Sequence, residues 1–269
     1  MALTEVKTDA VAAAPGGRTR TVHLRVWRGT AAGGEFRDYT VEVDENAVVL
    51  DALHRLQATQ APDLAVRWNC KAGRCGSCSA EVNGRPRLTC MTRLSSLPPD
   101  RPVVVAPMKT FPVIKDLVPD VSFNYEVAKT MPVFRPGPKG PDGRYRMTQA
   151  EVSRIQEFHK CIECWLCQNV CHVIRDHQEN LRHFAGPRFF VRLAALDMHP
   201  LDTNPREELA RFARDRAGVG FCNITKCCTE VCPEDIHITD NAIIPIKERV
   251  VDERYDPLLW LWRKVTGAR

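Results

Sequence analysis

Apolar positions alternate along the first part of the chain. They alternate over 21–28 and again over 39–43, which predicts two strands. Gly33 and Gly34 lie between these runs and predict a hairpin turn over 31–35. The chain therefore opens with a predicted β-hairpin.

The apolar spacing then becomes helical before it returns to alternation. Val49, Leu53 and Leu56 recur at helical spacing, and Asp44 is the predicted cap of this helix. Further strands are predicted at 79–82, 87–89 and 103–106. Strand, strand, helix, loop and strands in this order predict a small β-grasp-like domain over residues 21–119.

A helical part follows a stretch that is rich in proline. Residues 120–146 contain Pro132, Pro136, Pro138 and Pro141 and are predicted to form a linker. Thr148 and Glu151 have the spacing of a capping box at a helix start. Further helices are predicted over 187–198, from Asn204-Pro205 with Asn204 as cap, and over about 240–249. The predicted fold class is α+β, with an α-helical domain over 147–255.

The two ends of the chain carry separate predictions. Residues 1–20 contain Glu5 and Asp9 and have no apolar stretch, which predicts a disordered lead-in and no signal peptide. Residues 256–269 form a C-terminal tail that is apolar and basic around Trp260 and Trp262. Two interpretations stay open for the tail: contact with a membrane surface or partner subunit, and packing into the core.

Composition predicts a globular protein with an unusual cysteine content. Of 269 residues, 44% are hydrophobic and 26% are charged, and no apolar run is long enough to cross a bilayer. The 12 cysteines are clustered, which favours metal ligation in a reducing compartment over disulfides. Thiolate ligation would offset the formal net charge of +5, and the basic residues are scattered, so no nucleic-acid partner is predicted.

The first cysteine group has the spacing of a plant-type 2Fe–2S site. Cys70, Cys75 and Cys78 follow C-x4-C-x2-C, and Cys90 completes the set. Two glycines inside the loop permit the backbone to turn its N–H groups toward cluster sulfur. A structural zinc site is the alternative, but zinc sites more often pair two C-x2-C hooks.

The segment from Cys161 to Cys171 reads C-x2-C-x2-C-x3-C, the ligand run of a bacterial-type cluster site. In such runs the first three thiolates hold one cluster, and the fourth reaches a second cluster. A distant Cys-Pro completes the first, and Cys232-Pro233 supplies it here. The predicted ligands of a 4Fe–4S cluster are Cys161, Cys164, Cys167 and Cys232.

The segment from Cys222 to Cys232 repeats this run with Thr225 in its second place. A hydroxyl is a poor ligand for the soft iron of a cluster compared with a thiolate, so one iron is predicted to be missing. The predicted ligands of the resulting 3Fe–4S cluster are Cys171, Cys222 and Cys228. Cys227 is left over, and it is interpreted either as a small buried filler or as a fourth ligand that makes this cluster 4Fe–4S.

Three cluster signatures in this order resemble the iron–sulfur subunit of succinate dehydrogenase and fumarate reductase, the succinate:quinone oxidoreductases. The match covers about Thr21 to Val251 and rests on the C-x4-C-G-S-C loop, the Cys161 run and C-x5-C-x3-C-P. The resemblance implies an electron-transfer subunit, without catalysis by this chain alone, in electron transport and the tricarboxylic acid cycle. It implies that electrons pass from FAD of a flavoprotein subunit through 2Fe–2S, 4Fe–4S and 3Fe–4S clusters to quinone at membrane-anchor subunits.

The chain departs from the family at the quinone site. Many members have proline and a tryptophan pair after the cysteine that matches Cys171, and histidine after the one that matches Cys222. The corresponding residues here are His172, Arg175, Asp176 and Asn223. Either quinone is held differently, with His172, His177 and Asn223 as candidate contacts, or electrons move to a further cofactor in the anchor.

The looser match resembles menaquinone-linked bacterial forms. It implies a peripheral position on the cytoplasmic face of the bacterial cell membrane, held by the anchor subunits. Two alternatives stay open: the fumarate reductase direction of the same complex, and a soluble multi-cluster ferredoxin that serves another flavoprotein.

Overall fold

The computed structural model describes residues 18–266. Its N-terminal part is a mixed sheet that packs on one helix, α1 (Val49–Thr59). The strands are β1 (Thr19–Thr30), β2 (Gly33–Asp44), β3 (Ser79–Val82), β4 (Arg85–Leu88), β5 (Val103–Ala106), β6 (Val113–Lys115) and β7 (Val118–Pro119). Their order is β4-β3-β5-β1-β6-β7, with β2 antiparallel to β1 and β5 parallel to it. Leu53 and Leu56 of α1 are fully buried in a core that they share with apolar residues of β1, β2, β3 and β5.

The hairpin turn is shorter than the sequence predicts. Only Ala31 and Ala32 form it, and Gly34 lies inside the ladder opposite Gly29. A Cβ on Gly34 would lie 2.4 Å from the backbone carbonyl oxygen of Arg28 and 2.6 Å from the indole of Trp27, so the position has no room for a side chain. Glycine at position 34 thus lets the two strands pair closely beside the Trp27 ring, and β1 and β2 are longer than predicted.

The predicted cap of α1 is wrong. The Asp44 carboxylate accepts the N–H of Asn46 at 2.8 Å, in a turn that precedes the helix. Val48 is the N-cap residue, and Asp51 accepts its backbone N–H at 3.1 Å. Because the Asp44 carboxylate accepts this hydrogen bond from the N–H two residues away, it does not cap the helix.

The C-terminal part is helical. Its α-helices are α2 (Ser122–Thr130), α3 (Gln149–His159), α4 (Leu166–Val170), α5 (His172–Arg175), α6 (Pro187–Asp197), α7 (Arg206–Asp215), α8 (Cys227–Glu230), α9 (Ile244–Tyr255) and α10 (Pro257–Thr266). A π-helical segment, Ile238–Ile243, precedes α9, and 3₁₀ turns lie at Leu94–Ser96, Gln178–Arg182 and Val219–Phe221. The predicted α+β class is confirmed, as is the capping box of Thr148 and Glu151.

The predicted linker at 120–146 contains a helix. Asn124 of α2 is fully buried and accepts a hydrogen bond from Gln168 at 3.1 Å. The prolines begin only at Pro132, so residues before it are free to form a helix that packs on the cluster-bearing domain.

Two predicted helix boundaries also differ. Pro205, not Asn204, is the N-cap of α7, because the Asn204 amide donates to the carbonyl of Val133 at 2.8 Å and to Asp202 at 2.7 Å. The helix predicted over 240–249 is π-helical up to Ile243 and then continues as α9.

The structure describes only part of each terminal segment. Most of the predicted lead-in, residues 1–17, lies outside the described residues, and β1 already begins at Thr19. The tail forms α10, with residues 267–269 outside the described part. Among residues 18–266, no helix has the length and apolar character needed to cross a membrane.

Candidate iron–sulfur centres

Left-handed backbone conformations shape the loop at 70–78, which carries three predicted 2Fe–2S ligands. Gly73 and Gly76 have φ values of 68° and 67°. The N–H groups of Ala72 and Arg74 donate to the Sγ of the first loop cysteine at 3.4 and 3.3 Å. Amides that point inward in this way stabilise negative charge on sulfur.

The thiols of this first centre perturb one another. Burial and the adjacent Cys78 thiol raise the pKa of Cys90 to about 12. Burial also opposes ionisation of Cys75, but hydrogen bonds from Ser77 and from the backbone of Cys70 outweigh it and lower its pKa to about 6. All four predicted ligands therefore lie close enough to interact.

Four cysteines of the helical domain line a second cavity. They are Cys161, Cys164, Cys167 and Cys232. Burial raises the pKa of Cys164 to about 12, and it raises that of Cys167 well above the ordinary value of a thiol. Bare thiolates are costly in such a site, so a bound group must bring positive charge. The thiols surround the cavity. Within residues 18–266, no three His, Cys, Asp or Glu side chains converge closely enough to hold a single metal ion.

Arg188 tests whether a cluster fits this cavity. Its side chain lines the cavity, is nearly buried and pairs with Glu163. Its Nε donor is buried and has no hydrogen-bond partner in the described part of the chain. Sulfur of a bound cluster would supply an acceptor, and buried donors rarely lack one. The thiols and this donor therefore fit an iron–sulfur cluster.

Two residues of the Cys161 segment adopt a rare backbone conformation. Glu163 and Trp165, two and four residues after Cys161, have φ values of 55° and 62°. The left-handed region is uncommon for residues other than glycine. Packing supports the conformation, because the Trp165 ring lies between Tyr125 and Phe189, with ring centroids 6.1 Å away on each side.

The Cys222 segment repeats this backbone pattern. Ile224 and Lys226, again two and four residues after the first cysteine, have φ values of 61° and 63°. The repeat places Thr225 where Cys164 lies in the first segment. The two segments are thus structural equivalents, and they differ in one side chain that a cluster would use.

A third group of thiols lies beside this segment. Burial and the neighbouring thiols raise the pKa of Cys171 to about 12. Burial also raises the pKa of Cys228 to about 11, although a hydrogen bond from Thr239 opposes it. Cys222 contributes to both shifts, so the three predicted 3Fe–4S ligands lie around one centre.

Cys227 lies at the rim of this third centre. It is half-buried, so its interpretation as a buried filler is wrong; Cys228, 5% exposed, takes the interior position. The Sγ of Cys227 is 3.3 Å from the hydroxyl oxygen of Thr225, and the thiol contributes to the raised pKa of Cys171. Its role as a ligand stays a prediction.

The first and second centres meet through direct backbone contact. A Cβ on Gly76 would lie 2.6 Å from the Cα of Cys164, so the two ligand loops touch. The Ser79 hydroxyl lies 2.9 Å from the carbonyl of Gly76 and 2.8 Å from that of Cys164, and shares its proton between them. Only glycine permits this approach of the two loops.

A buried polar network holds the two domains together beside this contact. The Asn169 amide donates to Glu81 of β3 at 3.0 Å and accepts the backbone N–H of Thr110 at 3.1 Å. Arg175 pairs with the same carboxylate at 3.0 Å. Because every partner is satisfied, the network fixes one relative placement of the ligand loops.

One of the three candidate quinone contacts, His172, lies beside the third centre. Nδ1 of His172 lies 3.5 Å from the Thr225 hydroxyl, which places this side chain at the third centre. His177 is exposed and contacts Glu179 at 3.3 Å, and Asn223 is exposed.

Sequence reasoning missed Arg188 and Ser79. An arginine between Pro187 and Phe189, in the first turn of a mainly apolar helix, was the available signal for the first. Ser79 offered none, because its role depends on a loop 85 residues away.

Fold and sites together define a two-domain iron–sulfur protein. Residues 23–126 match the family described as 2Fe-2S iron-sulfur cluster binding domain, and residues 157–236 match 4Fe-4S dicluster domain. The fumarate reductase iron-sulfur subunit of Mycobacterium tuberculosis is 34% identical over 75% of this chain and 80% of its own length. The subunit of the same name from Haemophilus influenzae is 30% identical over 74% and 80%.

A solved structure agrees with these relatives. A chain of the Mycobacterium smegmatis Sdh1 complex in the apo form superposes with a TM-score of 0.85 and 66% identity, over 90% of this chain and all of that one. The chain belongs to the iron–sulfur subunits of the succinate dehydrogenase and fumarate reductase family. It is therefore an electron-transfer subunit of an oxidoreductase complex, with 2Fe–2S and 4Fe–4S cluster domains.

Proposed function

We propose that this chain relays electrons from the FAD of a flavoprotein subunit to quinone during succinate oxidation. Bound clusters would supply the one-electron chemistry. Cys70, Cys75, Cys78 and Cys90 hold 2Fe–2S; Cys161, Cys164, Cys167 and Cys232 hold 4Fe–4S; Cys171, Cys222 and Cys228 hold 3Fe–4S. Identity of 66% to a chain of the Sdh1 complex, against 34% to a fumarate reductase subunit, favours this direction.

One observation carries the unequal pair of clusters. The left-handed residues around Thr225 repeat those around Cys164, so a hydroxyl stands where the first segment has a thiolate. Since Cys171 ends the Cys161 run, one short segment serves both centres. This sharing supports a fixed chain of three centres.

The protein's own groups have three tasks in this relay. Backbone amides such as those of Ala72 and Arg74 stabilise negative sulfur at the first centre. The contact of Gly76 with Cys164 keeps the first two centres close. Closeness matters because the rate of electron tunnelling falls steeply with distance. Burial of Cys167 and Cys228 excludes water from the other two.

The same proposal assigns the partners. A flavoprotein subunit and membrane-anchor subunits complete the complex, as the family implies. The chain lies on the cytoplasmic face of the bacterial cell membrane, and menaquinone is the proposed acceptor. His172 is the favoured exit-side residue, because it lies beside Thr225.

Paramagnetic resonance of the air-oxidised complex tests the third cluster. An oxidised 3Fe–4S centre is paramagnetic, whereas oxidised 2Fe–2S and 4Fe–4S centres are silent. We expect one such signal in the native protein, and we expect Thr225→Cys to remove most of it by completing a 4Fe–4S site with a lower potential. Quinone reduction should slow in the same variant.

Two matched variants complete this test. Thr225→Ser keeps a hydroxyl and should keep the signal. Cys227→Ser should also keep it; if the native protein is silent and Cys227→Ser creates the signal, Cys227 is the fourth ligand and the 3Fe–4S assignment is wrong. An unchanged quinone reduction rate in Thr225→Cys would mean that electrons leave from another centre.

A further inference from the structure

Helix α10 presents an apolar stripe to solvent. Leu258, Leu261, Trp262 and Val265 are 77%, 52%, 58% and 78% exposed. They recur at i, i+3, i+4 and i+7, so they share one face of the helix. This face of the tail therefore does not pack into the core of the chain. An exposed apolar face of this kind indicates contact with a partner or a membrane.

Charge in the same segment indicates what that occupant is. Residues 256–269 contain Arg263, Lys264 and Arg269 and a single acidic residue, Asp256, which precedes the helix. An apolar stripe with tryptophan on a short helix, together with basic residues, is typical of a helix that lies along a lipid surface. With 10 residues, α10 is about 15 Å long, which suits a position along the surface.

The tail starts from the cluster-bearing domain. Near the start of α9, Lys247 donates to the carbonyl of Cys222, and near its end Glu253 pairs with Arg214 at 3.0 Å. These contacts hold α9 on the domain at both ends, and α10 follows one residue after it. The apolar stripe is thus displayed from a firmly attached helix.

We propose that α10 binds the interface of an anionic lipid bilayer, with Leu258, Leu261, Trp262 and Val265 inserted at the headgroup boundary. This contact is additional to the proposed function, in which anchor subunits hold the chain. It gives the subunit its own affinity for the membrane, and that affinity has an apolar and an electrostatic part.

Flotation of the full-length chain with lipid vesicles tests this proposal without the other subunits. We expect the cluster-loaded chain to bind phosphatidylcholine–phosphatidylglycerol vesicles, and to bind phosphatidylcholine vesicles much less. Leu261→Glu with Trp262→Glu should weaken binding to the anionic vesicles by about tenfold or more. Arg263→Gln with Lys264→Gln should weaken it by about tenfold and reduce its salt dependence.

Ile114→Glu is the matched control, because Ile114 of β6 is 54% exposed and lies outside the tail; its vesicle binding should equal that of the native chain. Iron content verifies that each variant is folded. The proposal is overturned if the native chain ignores anionic vesicles, or if the double glutamate variant binds them normally. It is equally overturned if the variant still binds anionic vesicles as an isolated chain but loses the anchor subunit when the whole complex is purified, since the stripe would then be a subunit interface.

Discussion

Replacing Cys232 with serine is expected to abolish assembly of the helical domain. The residue closes the cavity that Cys161, Cys164 and Cys167 also line, and the backbone N–H of Ile236 donates to its Sγ at 3.4 Å. Metal ligation supplies about 10 kcal/mol of folding free energy in small metal-dependent domains, which is as large as the whole stability of many proteins.

The expected result is a fall of about tenfold or more in the amount of assembled complex. Iron and acid-labile sulfide per complex, together with the yield of the complex from membranes, are the measurements. Cys227→Ser is the matched control, because it makes the same chemical change five residues earlier, at a cysteine outside the proposed ligands of the 4Fe–4S cluster. Full iron content and a normal yield for Cys232→Ser would contradict the assignment of Cys232 as a ligand.

Replacing Gly76 with alanine is expected to separate the first two centres. The new methyl group would lie 2.6 Å from the Cα of Cys164, and the φ of 67° is unfavourable for alanine. The backbone strain costs about 1–2 kcal/mol, and the steric overlap adds about 1–3 kcal/mol. Neither Gly76 nor Cys164 can move easily to relieve the overlap, because each lies in a loop that carries cluster ligands.

Gly84→Ala isolates the steric part of this effect. Gly84 has a φ of 74° in the same domain, but its Cβ would have no neighbour within 4 Å. We expect it to cost only the backbone strain, about 1–2 kcal/mol, and to leave electron transfer unchanged. The measurements are thermal unfolding of the complex and the rate at which the 4Fe–4S centre is reduced by succinate.

Ser79→Ala provides a milder version of the same test. It removes the hydroxyl that joins the carbonyls of Gly76 and Cys164, and leaves the loops free of a clash. Electron transfer between the centres should slow less than in Gly76→Ala. If Gly76→Ala behaves like Gly84→Ala in both measurements, close contact of the ligand loops is unimportant for the relay.

The ligand candidates were readable from the sequence because cluster ligation is largely a local requirement. Short C-x2-C and C-x4-C spacings allow a single loop to bring its thiols to one cluster. Glycine within such a loop permits the backbone conformation, and threonine in place of cysteine removes one thiolate ligand. The alternation of apolar residues in β1 and their helical spacing in α1 likewise involve only residues near one another in sequence. For the same reason, the cysteine spacing was enough to suggest the family.

Features that depend on distant residues required the folded chain. The approach of Gly76 to Cys164, the unpaired Nε of Arg188 in the second cavity and the position of Asn124 inside the presumed linker all join segments far apart in sequence. Local pattern carries no information on such pairs, because long-range packing sets them. The exposure of the α10 stripe is another such feature. The spacing of its apolar residues was compatible with both a core and a surface position. In the folded chain these residues are exposed, on a helix that follows α9.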